Sequence, residues 1–153
     1  MTKAILFTSL VLVGCTSPAD DPTPAAETDA PEIAPAASTD SFTGFASFNI
    51  YDGVPASSTF CDLDPAAFGE IVTALRTDLA NNYAAAHGRS ACGLCAKITS
   101  NGKTVVAHII DHSNDFTNNG GKRFLDMSME AFSKIGNPDS GFIPVSFTIG
   151  ACP

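Results

Sequence analysis

The five cysteines of this 153-residue chain are divided one and four, and that division limits the fold more than any other feature. Cys15 stands alone, at the end of an apolar run from Ala4 to Val13 broken only by Thr8 and Ser9. A bilayer span needs about 20 apolar residues, so this run is too short to cross one. With Lys3 before it, it has the layout of an export signal instead. Cys61, Cys92, Cys95 and Cys152 all fall in the last part, from about Phe42 to Pro153. Four cysteines in a small exported domain argue for two disulfides. A metal site is the rival. Cys92-Gly-Leu-Cys95 has zinc-ligand or redox spacing, but Cys61 and Cys152 are distant and single. A zinc ribbon wants a second close pair, and a redox pair would precede a helix, whereas this one sits in a strand-like run. On a strand, residues 92 and 95 face opposite ways and seek different partners. Three pairings remain possible, and Cys61–Cys92 with Cys95–Cys152 is the one expected.

The run closes as Leu12-Val13-Gly14-Cys15, which resembles the lipobox of bacterial lipoproteins. That resemblance implies cleavage after residue 14 and a lipid on Cys15, with two or three acyl chains for stable anchoring. Thr16 follows the cysteine, as in lipoproteins sorted to an outer membrane. The expected location is the cell envelope, lipid-anchored at the outer membrane or the cell surface. Residues 15–41 read as the lipidated cysteine and a tether of Pro, Ala, Thr, Ser, Asp and Glu, with Ile33 its one large apolar residue. Such a segment buries too little apolar surface to offset the entropy of ordering its backbone. At about 3.1 Å per residue it reaches on the order of 80 Å. Six of the acids lie here with no Lys or Arg, so the chain's net charge of −8 belongs mostly to this linker. Neither part has the basic patch that a nucleic-acid binder needs.

Residues 42–153 suffice for one core. Phe42 to Tyr51, Glu70 to Leu75, Ala91 to Thr99, Thr104 to Asp111 and Ile143 to Ile149 read as strands. Asn101-Gly102 between two β-rich runs is a strong hairpin signal. Asp78 to Ala86 is left open between a helical turn and a loop, and Asn114 to Lys122 reads as a polar loop. Ser128 is placed as the cap of a short helix from Met129 to Ile135, with Glu130 in its first turn and Gly136 as C-cap. Many short strands with one or two small helices suggest a closed barrel.

The order Gly44-Phe-Ala-Ser-Phe48, Glu70-Ile-Val-Thr-Ala-Leu75, Ala91-Cys-Gly-Leu-Cys95, Val105 to Asp111, Phe124-Leu-Asp-Met-Ser-Met-Glu-Ala-Phe132 and Gly141-Phe-Ile-Pro-Val-Ser-Phe147 is similar to bacterial expansin-like proteins. It looks like their first domain, a six-stranded double-psi β-barrel shared with rare lipoprotein A, barwin-like proteins and family 45 endoglucanases. The resemblance implies a mainly β, disulfide-stapled fold with one or two short helices. It implies that Asp126 faces a glycan groove, that Asp111 is a second groove acid, and that Ser47 is a groove hydroxyl. Ser113 stands where many expansins carry tyrosine, and the following loop lacks a Cys-Pro-x-Cys of many relatives. Residues 114–121 are therefore expected to be more mobile, with Asp115 and Phe116 replacing lost contacts. A cellulose-binding second domain is not expected after Pro153.

Glycoside cleavage needs an acid for the leaving oxygen and a base or nucleophile across the bond. An apolar setting keeps a carboxyl protonated, and Asp126 between Leu125 and Met127 is the candidate acid. Asp111 is the second candidate catalytic residue. The bland alternatives are a helix-capping aspartate at 126 and a strand-end turn carboxylate at 111. His108 and His112 would share one face of a strand. His112 is expected to line the groove and His108 to be a satisfied barrel residue, and His87 is uninformative. No metal or cofactor is implied. Trp is absent, so Phe48, Tyr51 and Phe116 are the stacking candidates for sugar rings. The expected partner is cell-wall polysaccharide, peptidoglycan or a β-glucan, bound by a monomer and loosened without hydrolysis. The rivals are a lytic transglycosylase or endoglucanase of the same barrel, and a barwin-like interaction or inhibitor module.

Overall fold

The computed structural model describes residues 40–118 and 120–153. The segments expected as an export signal, lipidated Cys15 and most of a tether lie outside the described residues. Among the described residues there are seven strands: β1 (Ser41–Asn49), β2 (Val72–Arg76), β3 (Cys95–Ser100), β4 (Lys103–Ser113), β5 (Thr117–Asn118), β6 (Gly121–Ser128) and β7 (Ile143–Gly150). Two α-helices accompany them, α1 (Thr77–His87) and α2 (Met129–Ser133). The strand order is β1-β7-β3-β4-β2-β6, and β6 pairs back onto β1. Six strands thus close a barrel, as expected, and the two-residue β5 only extends β6 as a ribbon. Closure removes the unpaired edges that an open sheet would expose. The pairs β1–β6 and β2–β4 are parallel, and the other four pairs of the ring are antiparallel.

Alternation fills the interior. Val105, Ala107 and Ile109 of β4, Leu125 and Met127 of β6, and Val145, Phe147 and Ile149 of β7 join one buried cluster. Phe132 of α2 is fully buried against it. Both parallel pairs carry an irregularity. In β2–β4 the register passes from Thr73↔Ile109 to Ala74↔Asp111, so Ile110 is an extra residue. In β1–β6 it passes from Phe45↔Arg123 to Ala46↔Leu125, so Phe124 is extra. These are β-bulges, which re-aim the side chains around them.

The hairpin between β3 and β4 turns at Asn101 (φ 50°) and Gly102 (φ 73°). Positive φ at both central residues is what a two-residue loop of this hand requires. The segment left open at 78–86 is the eleven-residue helix α1. It ends at Gly88, left-handed at φ 65°, whose N–H bonds to Ala84 O at 2.9 Å. Three consecutive alanines and this glycine stop are the signals for it. Ser128 does cap α2, its Oγ accepting from Ala131 N at 3.1 Å. Gly136 is not the C-cap, which is Lys134. A Cβ at 136 would sit 2.6 Å from Ile143 Cδ1 and 3.2 Å from Phe132 Cε1, so glycine there serves close packing.

The disulfides are Cys61–Cys92 and Cys95–Cys152, the expected pairing. The strand argument for it holds only for Cys95, because β3 begins there and Cys92 lies in the preceding turn around Gly93 (φ 77°). Cys95–Cys152 closes a sequence separation of 57 residues. Chain entropy gives such a link roughly 4 kcal/mol. Replacing both cysteines with serine should lower the unfolding free energy by about that amount, measured as a shift in denaturation midpoint. A second check concerns the bulge at Phe124. A Cβ on Gly44 would lie 2.8 Å from the Phe124 ring. Gly44→Ala should therefore cost about 1–3 kcal/mol through overpacking, seen as a fall in Tm.

Candidate functional site

Register builds a row of side chains across four adjacent strands. Ser47 of β1 pairs with Asp126 of β6. Asp126 pairs with Ala74 of β2, and Ala74 pairs with Asp111 of β4. Partners in register point to one face, so the two aspartates share a surface with the small Ala74 between them. Neighbouring strands lie about 4.8 Å apart, which puts the aspartate Cα atoms on the order of 10 Å from each other. Above this row lies an open depression of about 200 Å³, lined by Asn49, Tyr51, Ala74, Asp111, His112, Ser113, Asn114, Arg123 and Asp126.

Both bulges are needed for this row. Strict alternation with Val105, Ala107 and Ile109 would turn Asp111 into the barrel interior. The extra Ile110 turns it out and buries Ile110 with Tyr51 and Val72 instead. Alternation with Leu125 and Met127 would likewise send Arg123 inward. The extra Phe124 returns Arg123 to the side of Asp126, three residues on. Arg123 Nη1 lies 3.1 Å from Asp126 Oδ2 and 3.1 Å from Ser47 Oγ. Ser47 Oγ lies 2.7 Å from Asp126 Oδ1. A guanidinium only donates, so the serine oxygen accepts from Arg123 and its own proton goes to Asp126. Asp126 Oδ1 therefore accepts from Ser47, and its Oδ2 is ion-paired with Arg123. Its surroundings are polar rather than apolar, because Leu125 and Met127 face the other way into the core. Nor does it cap α2, where Ser128 does that work.

Asp111 holds backbone. Its Oδ1 accepts from Phe60 N and from His112 N, each at 2.8 Å. It is thus both a groove carboxylate and the strand-end tie foreseen as its alternative. Tyr51 stands beside it. Burial, then the negative charges of Asp111 and Asp126, push the Tyr51 phenol well above its ordinary range. It stays a neutral hydroxyl at any physiological pH. Its ring is 4% exposed, so it offers the groove no stacking face. Phe48 is not a groove residue either. It pairs with Met127 and packs its ring 5.1 Å from Phe132.

Phe116 is half-exposed, as a stacking candidate should be. Its ring lies 5.3 Å from the Arg123 guanidinium and 6.0 Å from Phe142. The second exposed aromatic was missed by sequence reasoning. Phe60 is 64% exposed and lies flat on His112, with ring centroids 3.7 Å apart at 15°. Its position next to Cys61 was the signal, since a disulfide fixes whatever flanks it. His112 lines the groove as expected. Both its ring nitrogens are buried and have no protein partner. Burial outweighs the pull of Asp111 and lowers its pKa below the ordinary value, which favours neutral imidazole.

His108 is elsewhere, because the bulge at Ile110 breaks the alternation that would have matched it to His112. It stacks on Phe68 at 4.3 Å and touches the Cys95–Cys152 disulfide. Ser113 lines the groove. Asp115 does not; it is exposed and lies 3.3 Å from Arg76 Nε, in a neighbouring hollow. The loop expected at 114–122 contains the ribbon of Thr117–Asn118 against Gly121–Lys122. Arg123, Asn49 and Asn114 were missed, the first because its place beside Asp126 depends on the bulge.

Residues 77–147, which hold Asp111, Arg123 and Asp126, match the model of a family described as lytic transglycolase, a double-psi β-barrel family. No curated protein matches the chain in sequence. Among solved structures, the ligand-free expansin of Clavibacter michiganensis is similar, with a TM-score of 0.59 and 23% identity over 74% of this chain. An aspartate-to-asparagine variant of that expansin in complex with cellohexaose gives 0.58 and 22%, again over 74% of this chain. In both cases the match spans 52% of the expansin's own length. By strand order, pairing sense and these matches, the described domain has the double-psi β-barrel fold.

Proposed function

We propose that this barrel binds cell-wall polysaccharide along the Ser47–Asp126–Ala74–Asp111 row and loosens it without cutting it. One observation carries the reading: both aspartates on an open, aromatic-flanked groove are already committed as acceptors. Asp126 takes bonds from Ser47 and Arg123. Asp111 takes two backbone N–H bonds. Neither aspartate is held here as the proton donor that cleavage requires at the leaving oxygen, and the neutral Tyr51 beside them is buried. What the groove does offer suits sugar hydroxyls. Asn49 and Asn114 line the groove with amide side chains, and Phe60 and Phe116 present exposed faces. Exposed rings of this kind stack on the apolar faces of pyranose units. The expansin in complex with cellohexaose has a barrel of the same fold and supports the substrate class.

A lytic transglycosylase is the second reading, favoured by the family match over residues 77–147. The test is incubation of the full chain with peptidoglycan, cellulose and chitin side by side. Pelleting with at least one polymer, and release of neither reducing ends nor anhydro-sugar ends, is expected. Anhydro-sugar ends that vanish in Asp126→Asn would establish the second reading in place of the first.

The chain is further proposed to be held in the cell envelope by a lipid on Cys15. The support is the sequence alone: Lys3, the apolar run and Leu12-Val13-Gly14-Cys15. Radiolabelled palmitate should enter the wild-type chain in a bacterial host and be absent from Cys15→Ser.

Phe60→Ala should weaken glycan retention several-fold, corresponding to about 1 kcal/mol of lost ring contact. Unfolding should leave its midpoint nearly unchanged, since the ring is mostly exposed. His112 gives a pH dependence. Its folded pKa is lowered from 6.5, so below that pH the unfolded chain takes up a proton the folded one refuses. That part of the stability is intact above pH 6.5 and falls as pH drops below it. His112→Phe should flatten this part of the curve in denaturant titrations between pH 7 and 5, leaving the carboxylate contribution in place.

A further inference from the structure

The two disulfides differ in their surroundings. Cys61–Cys92 ties a loop to a turn. Cys95–Cys152 lies against a histidine. Cys95 and His108 are direct partners in the antiparallel pair β3–β4, so their side chains leave the sheet together. His108 Nδ1 is 3.6 Å from Cys95 Sγ and 3.3 Å from Cys152 Sγ. The three ligand atoms lie within 4.8 Å of one another. Phe68, stacked at 4.3 Å, fixes the plane of the imidazole.

These distances are those of a metal site with one bond too many. Tetrahedral zinc takes thiolate at about 2.3 Å and imidazole nitrogen at about 2.0–2.1 Å, which sets the nitrogen–sulfur edges at roughly 3.5 Å. Both nitrogen–sulfur distances here already bracket that length. Only the sulfurs are too close, because they are bonded to each other. We propose that, once reduced, Cys95 and Cys152 hold a zinc-class divalent cation as thiolates together with His108 Nδ1, leaving a fourth position for water.

The opening step is thiol–disulfide exchange with an external dithiol. Its thiolate attacks Sγ of Cys152, the more accessible of the pair, and Cys95 leaves as thiolate. The second thiol of the reductant then attacks the mixed disulfide. The reductant departs as a disulfide, two electrons poorer, and the chain keeps two thiols. Binding one divalent cation releases both thiol protons to solvent. Cys152 lies beyond the end of β7, in a segment without regular structure, so its sulfur can move away from Cys95 without disturbing a strand. Cys95 also lines a hollow of about 380 Å³ with Lys97, Val106 and Thr148, which gives the cation a way in.

The probe is Co²⁺ added to the full chain after reduction by a phosphine. One equivalent should bind per chain with a thiolate-to-cobalt charge-transfer band, displaced by Zn²⁺ and absent from the oxidised chain. The band should persist in Cys15→Ser/Cys61→Ser/Cys92→Ser, whose two remaining cysteines are the proposed ligands. His108→Gln should weaken Co²⁺ binding at least tenfold. Circular dichroism before metal addition reports whether the reduced barrel is still folded. No band after reduction overturns the proposal. So does a band unaffected by His108→Gln, or one that disappears with Cys15, Cys61 and Cys92, which would mark binding by the other cysteines of an unfolded chain.

Discussion

The site depends on two β-bulges, one in each parallel pair of the barrel. A barrel of six short strands has a simple rule: alternate residues face in and are apolar. Val105, Ala107 and Ile109 obey it, and so do Leu125 and Met127. Continued for one more step along each strand, the same rule would bury Asp111 and Arg123. An unpaired charge inside an apolar barrel is far too costly to persist. The extra residues Ile110 and Phe124 resolve the conflict by shifting the phase. The shift brings a carboxylate and a guanidinium onto the outer face, around Ala74. Each displaced residue is then put to use. Ile110 packs with Tyr51 and Val72, and Phe124 lies 4.3 Å from the guanidinium of Arg76.

This explains which parts of the molecule were legible in the sequence. The strands, the hairpin at Asn101-Gly102, the Ser128 cap and the disulfide pairing follow from local patterns that the fold leaves intact. Asp126 and Ser47 were singled out through the resemblance, and their register pairing and hydrogen bond come from the fold. Arg123 was not, because an odd spacing from Asp126 on a strand implies opposite faces. His108 and His112 failed for the same reason in reverse: a spacing of four implied one face, and the bulge separates them. Phe48 and Tyr51 were misplaced for a different reason. An aromatic residue at a strand end gives no sign of whether its ring closes the core or faces solvent, and here both close the core. Phe60 was overlooked because its loop has no periodicity. Its position is set by long-range bonds, from its N–H to Asp111 and through neighbouring Cys61 to Cys92.

Asp111 therefore joins two levels of the structure. Its carboxylate lines the groove, and its hydrogen bond to Phe60 N holds the loop whose ring covers His112. Cys61 N, one residue on, bonds to the carbonyl of the bulged Ile110 at 3.1 Å. The bulge thus exposes the acid and also docks the aromatic platform beside it. The separation of the two aspartates has a similar double meaning. Two strand spacings, with only a methyl group between, leave room for a sugar to settle onto the row. The same distance keeps the carboxylates from repelling one another, so each can remain an acceptor with its own set of donors.

A groove of about 200 Å³ open to solvent encloses little of a polymer at once. Affinity per encounter should then be modest, because shallow contact buries little apolar area and sugar hydroxyls exchange one set of hydrogen bonds for another. Under the proposed anchoring this is no handicap. On that proposal, the segment between Cys15 and β1 would keep the barrel within on the order of 80 Å of the membrane. Confinement raises the effective concentration of the barrel toward any polymer within that shell, as in other linked binding modules. Weak contacts that form and release quickly are also what loosening requires. A tight grip would cross-link the polymer to the membrane, whereas the proposed brief occupancy of the Asp126–Ala74–Asp111 row would compete with chain-to-chain contacts and then let go.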